Sequence, residues 1–255
     1  LTADDIKQLD YAKALQIYQQ RFANAADFSF AVVGNVSLQV IEPLLEQYVA
    51  SLPTQKGREK LTCPILAIPG KKTVHFTTDM VHPVTTFYAC NHIKGHFSNK
   101  QTLAYKLLSD ILDIVYTEKL REEQGGTYSV SADIAVKQLP QPAVYMTILF
   151  RTDSAKIANL TPIVYDELAK IAAQGPRAED LQKVKEHAKK VYADQQIANG
   201  YWLNRLVDAQ FYGKDSQANY LRDLEKITAK DIQKVAKTLL NSPNLKEIIQ
   251  VGVSK

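Results

Sequence analysis

Arg121 and Tyr128 have side chains whose types and spacing could do chemistry together. They flank a pair of glycines in the run Leu120-Arg121-Glu122-Glu123-Gln124-Gly125-Gly126-Thr127-Tyr128-Ser129-Val130. A guanidinium offers a planar fork of donors and a phenol a single directed hydroxyl, and neither has to lose a proton to donate. If Gly125 and Gly126 reverse the chain, both groups reach the same end of the structure. Two fixed donors could then converge on an oxyanion or a peptide carbonyl. An Arg in a last helical turn and a Tyr that opens a strand are also ordinary structural choices. Spacing alone favours the structural reading.

The elements that must position this pair can be read from periodicity. Leu103, Leu107, Leu108, Ile111, Leu112 and Val115 fall on one face, which predicts a helix from about Asn99 to Glu122. Arg121 then lies in the last turn, where exposed carbonyls favour a cation, and Gly125 and Gly126 can take the positive φ that stops a helix. From Tyr128 the period changes. Tyr128, Val130, Ala132, Ile134 and Val136 alternate with polar residues, predicting a strand over 128–137. A Pro140/Pro142 turn leads into a second strand through Val144, Met146, Ile148 and Phe150. Two more strands, around Val74–Thr78 and Val84–Cys90, precede the helix.

The flanks are mainly helical. A helix over 3–22 leads to a strand, Phe28 to Val33, closed by Gly34-Asn35, and to a helix ended by Pro53. After the central strands Ser154 reads as a helix cap, and Gly175-Pro176 ends one helix and opens another. That second helix runs to about Tyr212, with Gly200 inside it as a site for a kink or break, and shorter helices near 215–225 and 228–241 precede a strand over 246–253.

An internal repeat sets the expected domain organisation. Thr2-Ala3-Asp4-Asp5-Ile6 reappears as Thr228-Ala229-Lys230-Asp231-Ile232, each opening a helix that leads to a strand with Val33-Gly34 or Val251-Gly252. Residues 1–55 therefore read as the helix–strand–helix end of a preceding domain copy, 56–72 as a Pro- and Gly-rich linker, and 73–255 as a complete copy. The chain reads as truncated at its front. Phe28, Phe30 and Val32 would then lack their sheet partners, and an unpaired strand seeks an edge, in this domain or in a second molecule as a homodimer.

Composition narrows the class. With 45% hydrophobic residues the chain can bury a core. Its 31 basic and 27 acidic residues are interspersed, which gives no indication of nucleic acid. No apolar run has the length of a membrane helix, and Leu1 to Ile6 has no signal-peptide character, so a soluble protein is expected. Cys63 and Cys90 form neither a disulfide framework nor a zinc-finger pattern. The compartment stays open, with the bacterial periplasm or cell envelope among those that fit.

Together these residues resemble the pitrilysin, insulin-degrading-enzyme and mitochondrial-processing-peptidase family of zinc metallopeptidases. Leu120 to Val130 matches the family's L-R-E-x-x-G-x-x-Y-S-V signature. Leu1 to Asp5, Val32 to Asn35, Gly175 to Leu181 and Ile227 to Asp231 supply flanking likeness in the right order. The resemblance implies an α+β fold, a mostly antiparallel sheet with helices packed on one side. It also implies a chamber closed by two halves, with zinc in the N-terminal half, held by H-x-x-E-H. This chain lacks that motif: Glu186-His187 is preceded at the needed position by Lys183. By resemblance, Arg121 and Tyr128 are the pair that the non-metal half offers to a peptide substrate, with Gly125 and Gly126 lining the same turn. No metal ligand is expected here. The alternative of the same fold is a non-catalytic structural or assembly subunit.

Three other clusters carry side chains that could bind a metal or a ligand. His92 and His96 have the i, i+4 spacing of a metal pair, but Gly95 between them favours a surface loop. Tyr201 and Trp202, with Tyr192, Phe211 and Tyr212, form a stripe that reads as core. Lys183, Lys185, Lys189 and Lys190 form a basic face that reads as solvated.

Overall fold

The apolar stripe foreseen around Leu107 and Ile111 is the centre of the larger of two units in a computed structural model describing residues 2–56, 68–139, 141–213 and 215–254. Helix α4, Asn99–Tyr116, is opened by a reciprocal cap between Ser98 and Gln101. It buries Leu103, Leu107, Leu108, Ile111, Leu112 and Val115. These residues pack on one face of a five-stranded sheet made of β1 (Lys71–Met80), β2 (Thr85–Lys94), β3 (Val130–Lys137), β4 (Ala143–Thr152) and β5 (Leu245–Ser254).

The sheet order is β1-β5-β2-β4-β3. Three of its pairings are antiparallel, and β1 lies parallel to β5 with Val74 opposite Ile248. Inward residues of β2 and β4, such as Phe87 and Phe150, are register partners and stack with ring centroids 4.9 Å apart. Helices α5 (Ile157–Gln174) and α9 (Ala229–Leu240) pack on each other, and α9 also packs on α4. Ser109 of α4 pins β3 by accepting from Ile134 N at 3.0 Å and donating to Ala132 O at 2.8 Å. The α+β class, the mostly antiparallel sheet and the helices on its buried face agree with the sequence reading.

Gly252 explains how β5 fits into the sheet. A Cβ there would lie 2.6 Å from Val84 N, so only glycine lets β5 run beside the β1–β2 connection.

The other unit comprises Leu1–Thr62 and Gln195–Asp215. It holds α1 (Ala3–Lys7), α2 (Tyr11–Phe22), α3 (Leu38–Leu45, continued by a π-turn over Glu46–Ala50) and α7 (Asn199–Tyr212). The expected helix over 3–22 is broken at Gln8–Asp10, because Asp10 caps a new helix by accepting from Lys13 N. Phe28 to Val33 is extended but joins no ladder among the described residues. Residues 195–215, within the 73–255 copy expected from the repeat, group with this unit. The long helix expected to reach Tyr212 is divided a few residues before Gly200, the position expected to kink or break it: α6 (Ala178–Gln195) stops and α7 starts afresh, with Gly200 in its first turn.

Several boundaries shift. Strand β1 begins at Lys71, inside the expected linker, most of whose other residues (57–67) lie outside the described ones. Pro140 of the expected turn also lies outside them. Helix α5 starts at Ile157, three residues beyond Ser154. The helix expected near 215–225 is α8, Tyr220–Glu225.

Candidate functional site

The turn between α4 and β3 is built by a change of helical type. After Tyr116 the chain continues as a π-helical turn, Thr117–Glu123, whose Leu120 is fully buried. Gly126 N then donates to Leu120 O at 2.9 Å, closing the loop that carries Arg121. Only Gly125 takes a positive φ, +53°. Gly126 is needed for a different reason: its Cβ would meet Leu160 Cδ2 at 2.5 Å and Leu120 O at 3.1 Å. The expectation that both glycines supply positive φ is corrected on this point.

Side chains from the next elements fix the exit of the turn. Thr127 Oγ1 lies 2.8 Å from Ser129 O and 2.6 Å from Arg151 O. Thr152 Oγ1 donates to Gly126 O, and Lys156 Nζ donates to Gly125 O at 3.0 Å. With Gly126 and Thr127 held inside, Arg121 and Tyr128 are left in solvent, Tyr128 at 90% exposure. Neither forms a side-chain hydrogen bond or ion pair among the described residues. Tyr128 precedes β3 instead of opening it, since the ladder begins at Val130. Two donors without intramolecular partners, on either side of a loop closed at its base, can hydrogen-bond a carbonyl or an anion.

Behind the turn lies a charged clamp that sequence reading missed. Arg177 Nη1 and Nη2 reach Glu118 Oε1 and Oε2 at 3.1 and 2.6 Å, and Nε and Nη2 reach Asp180 Oδ2 and Oδ1 at 2.5 and 3.2 Å. The guanidinium holds the Glu118 carboxyl below its ordinary range. Glu118 and then Asp180 in turn raise the pKa of Arg177. The motif Gly175-Pro176-Arg177-Ala178-Glu179-Asp180 was legible, but its contact with Glu118 spans 59 positions and leaves no local signal. Asp113 adds a second anchor by accepting from Ala132 N at 2.7 Å, and burial raises its carboxyl.

The other clusters resolve differently. His92 is not in a loop: it sits in β2, 5% exposed, its ring 6.0 Å from Tyr145, while His96 is exposed beyond the strand. The strand extends to Lys94 because His92 pairs with Tyr145 of β4. The aromatic stripe is not core. Trp202, Phe211 and Tyr212 are exposed on α7, whereas Tyr192 stacks on Tyr220 in the other unit. The lysine face is partly tied up, with Lys185 donating to the carbonyls of Glu225 and Ile227 and Lys189 paired with Glu186 and Glu225.

Among the described residues no group of three or more His, Cys, Asp or Glu could hold a metal ion. No described helix is long and apolar enough to cross a membrane.

Five strands in a mostly antiparallel sheet with helices packed on one face make this an α+β domain. The chain belongs to the peptidase M16 inactive domain family, whose model matches residues 9–187. It is similar to a zinc protease PQQL-like protein of Arabidopsis thaliana, 20% identical over 217 residues, covering 80% of this chain and 23% of that protein. It is also similar to a probable zinc protease PqqL of Escherichia coli strain K12, 20% identical over 249 residues, covering 95% and 26%. Among solved structures, the periplasmic protease PqqL from Escherichia coli superposes with a TM-score of 0.81 at 20% identity, covering 100% of this chain and 28% of that one. A peptidase M16 inactive domain from Pseudomonas fluorescens gives 0.76 at 19% identity, covering 99% and 60%. These superpositions establish the fold. The chain spans about a quarter of the length of the curated relatives it matches.

Proposed function

We propose that this chain is the C-terminal, substrate-engaging part of a zinc-dependent metalloendopeptidase acting on peptides. Arg121 and Tyr128 hold the substrate carbonyl and steady the oxyanion that forms when it is attacked. The observation that carries this reading is the locked Leu120–Gly126 turn, which leaves both donors exposed and without side-chain partners among the described residues. Zinc and the attacking water belong to an N-terminal partner half, as the names of the relatives suggest, and the isolated chain is inactive. The likeness to the periplasmic protease PqqL from Escherichia coli makes the periplasm or cell envelope the proposed location.

The front unit is read as the tail of a preceding domain copy, with 73–255 as a complete one. The two copies of the repeat open with the same reciprocal cap, Thr2 with Asp5 and Thr228 with Asp231. Gly252 is wedged against Val84, whereas a Cβ on its counterpart Gly34 would meet nothing within 4 Å. That contrast is what a strand without its sheet would give, and a homodimer through this segment is one way to supply partners.

The test is Arg121→Ala in the intact protein. A strong loss of peptide turnover with unchanged folding supports the reading, and normal turnover removes it. The second reading, a non-catalytic structural or assembly subunit, is motivated by the absence of an H-x-x-E-H motif from this sequence. An H-x-x-E-H with a downstream Glu in the encoded sequence upstream of Leu1 would support the peptidase, and its absence there would support the scaffold.

A further inference from the structure

The donor pair is only as well aimed as the segment that carries Arg121. That segment is the π-helical turn Thr117–Glu123, a geometry rare in proteins and frequent at functional sites. Leu120 roots it in the core, and among the described residues one ion-paired fork reaches it from outside. Arg177, just ahead of α6, holds both carboxylate oxygens of Glu118 at 3.1 and 2.6 Å, three residues before Arg121. The same guanidinium is held from behind by Asp180, whose side chain is 1% exposed in the first turn of α6. Bidentate pairing fixes direction as well as distance. The other ion pairs on this turn join Lys119 to Glu118 and Glu123 and stay within the turn itself, so they cannot orient it against the domain.

We propose that Arg177 is a positioning residue for Arg121: it locks the π-helical turn to the buried Asp180 through Glu118, and so aims the Arg121 guanidinium at the substrate carbonyl. This rests on the reading that Arg121 engages substrate. Arg177→Lys keeps the charge but loses the fork, and Glu118→Gln leaves Asp180 compensated, so both variants should fold.

The experiment measures peptide cleavage by the intact protease that carries this chain. Each variant should lower kcat roughly ten- to a hundredfold, as misplacement of a catalytic group does, with KM and unfolding temperature nearly unchanged. In an Arg121→Ala background the same substitutions should have no further effect, because the group they aim is gone. Unchanged kcat in both single variants, or losses that persist in full without Arg121, would overturn the positioning role. So would a lowered unfolding temperature with unchanged activity per folded molecule. If Arg121→Ala alone leaves turnover normal, the donor-pair reading fails first, and this inference with it.

Discussion

A methyl group on Gly126 would sit 2.5 Å from Cδ2 of Leu160, a side chain of α5 that is 2% exposed and packed in the core. The turn has no room on that side, since Leu120 O lies 3.1 Å from the same point. Gly126→Ala should therefore destabilise the domain by about 1–3 kcal/mol, as overpacking does. Gly125→Ala meets open space but keeps a φ of +53°, and should cost about 1–2 kcal/mol for the left-handed backbone alone. Asn at position 125 should recover part of that loss. Denaturant midpoints of the three variants check the order.

The donor pair should behave differently from the glycines. Tyr128 is 90% exposed, so Tyr128→Phe and Arg121→Ala should leave the unfolding midpoint within about 0.5 kcal/mol of the parent. In the intact protein each should lower kcat as loss of an oxyanion donor does, by roughly 3–4 kcal/mol of transition-state stabilisation. Equal losses of stability and activity would mean that the side chains are structural.

Much of this architecture was legible because one-sided burial writes a period into the sequence. The stripe from Leu103 to Val115 and the alternation in 130–136 and 144–150 mark α4, β3 and β4 directly. What escaped depends on partners distant in sequence. The parallel pairing of β1 with β5 and the Arg177–Glu118 fork join residues 174 and 59 positions apart, beyond any local window. The π-turn at 117–123 escaped because Leu120 keeps the apolar phase while the hydrogen bonding changes. The positions of Arg121 and Tyr128 were readable. The reason Gly126 is indispensable, a contact with Leu160, was not.

His92 should make stability depend on pH. Burial, with Lys94 and Lys246 nearby, lowers its pKa from the ordinary 6.5, and its Nε2 has no hydrogen-bond partner among the described residues. The folded state therefore favours the neutral ring, and the unfolded chain binds the proton first. The contribution is fully present above about pH 6.5 and is lost as pH falls from there toward the lower folded value. His92→Phe keeps the ring beside Tyr145 and should flatten the slope of unfolding free energy below about pH 6.5. An unchanged slope would show that this ring does not titrate with folding.

The front segment should be the least protected part of the chain. No residue between 2 and 56 is buried, and Phe30, Val32, Leu38 and Tyr48 are all exposed. Without buried apolar contacts, local opening costs little. Amide exchange measured on the chain alone should be fast over 2–56 and slow in β2 and β4. Protection over 28–33 that grows with protein concentration would report the strand finding an edge in a second molecule.

Arg177 also bears on stability, because Asp180 is buried and its carboxylate is compensated by the guanidinium at 2.5 and 3.2 Å. Arg177→Met keeps the apolar stem and strands the carboxylate, which should cost about 3 kcal/mol, the scale for breaking a buried pair by removing one partner. Asp180→Asn together with Arg177→Met removes the stranded charge and should recover more than half of the loss. Glu118→Gln acts on the other end of the fork, where both side chains are substantially exposed, and should cost under about 1 kcal/mol. The double-variant cycle between positions 177 and 180 should therefore show strong coupling, and the cycle between 177 and 118 weak coupling. Equal coupling in the two cycles would mean that the fork is anchored at its exposed end, and Asp180 could not be the fixed point from which the turn is held.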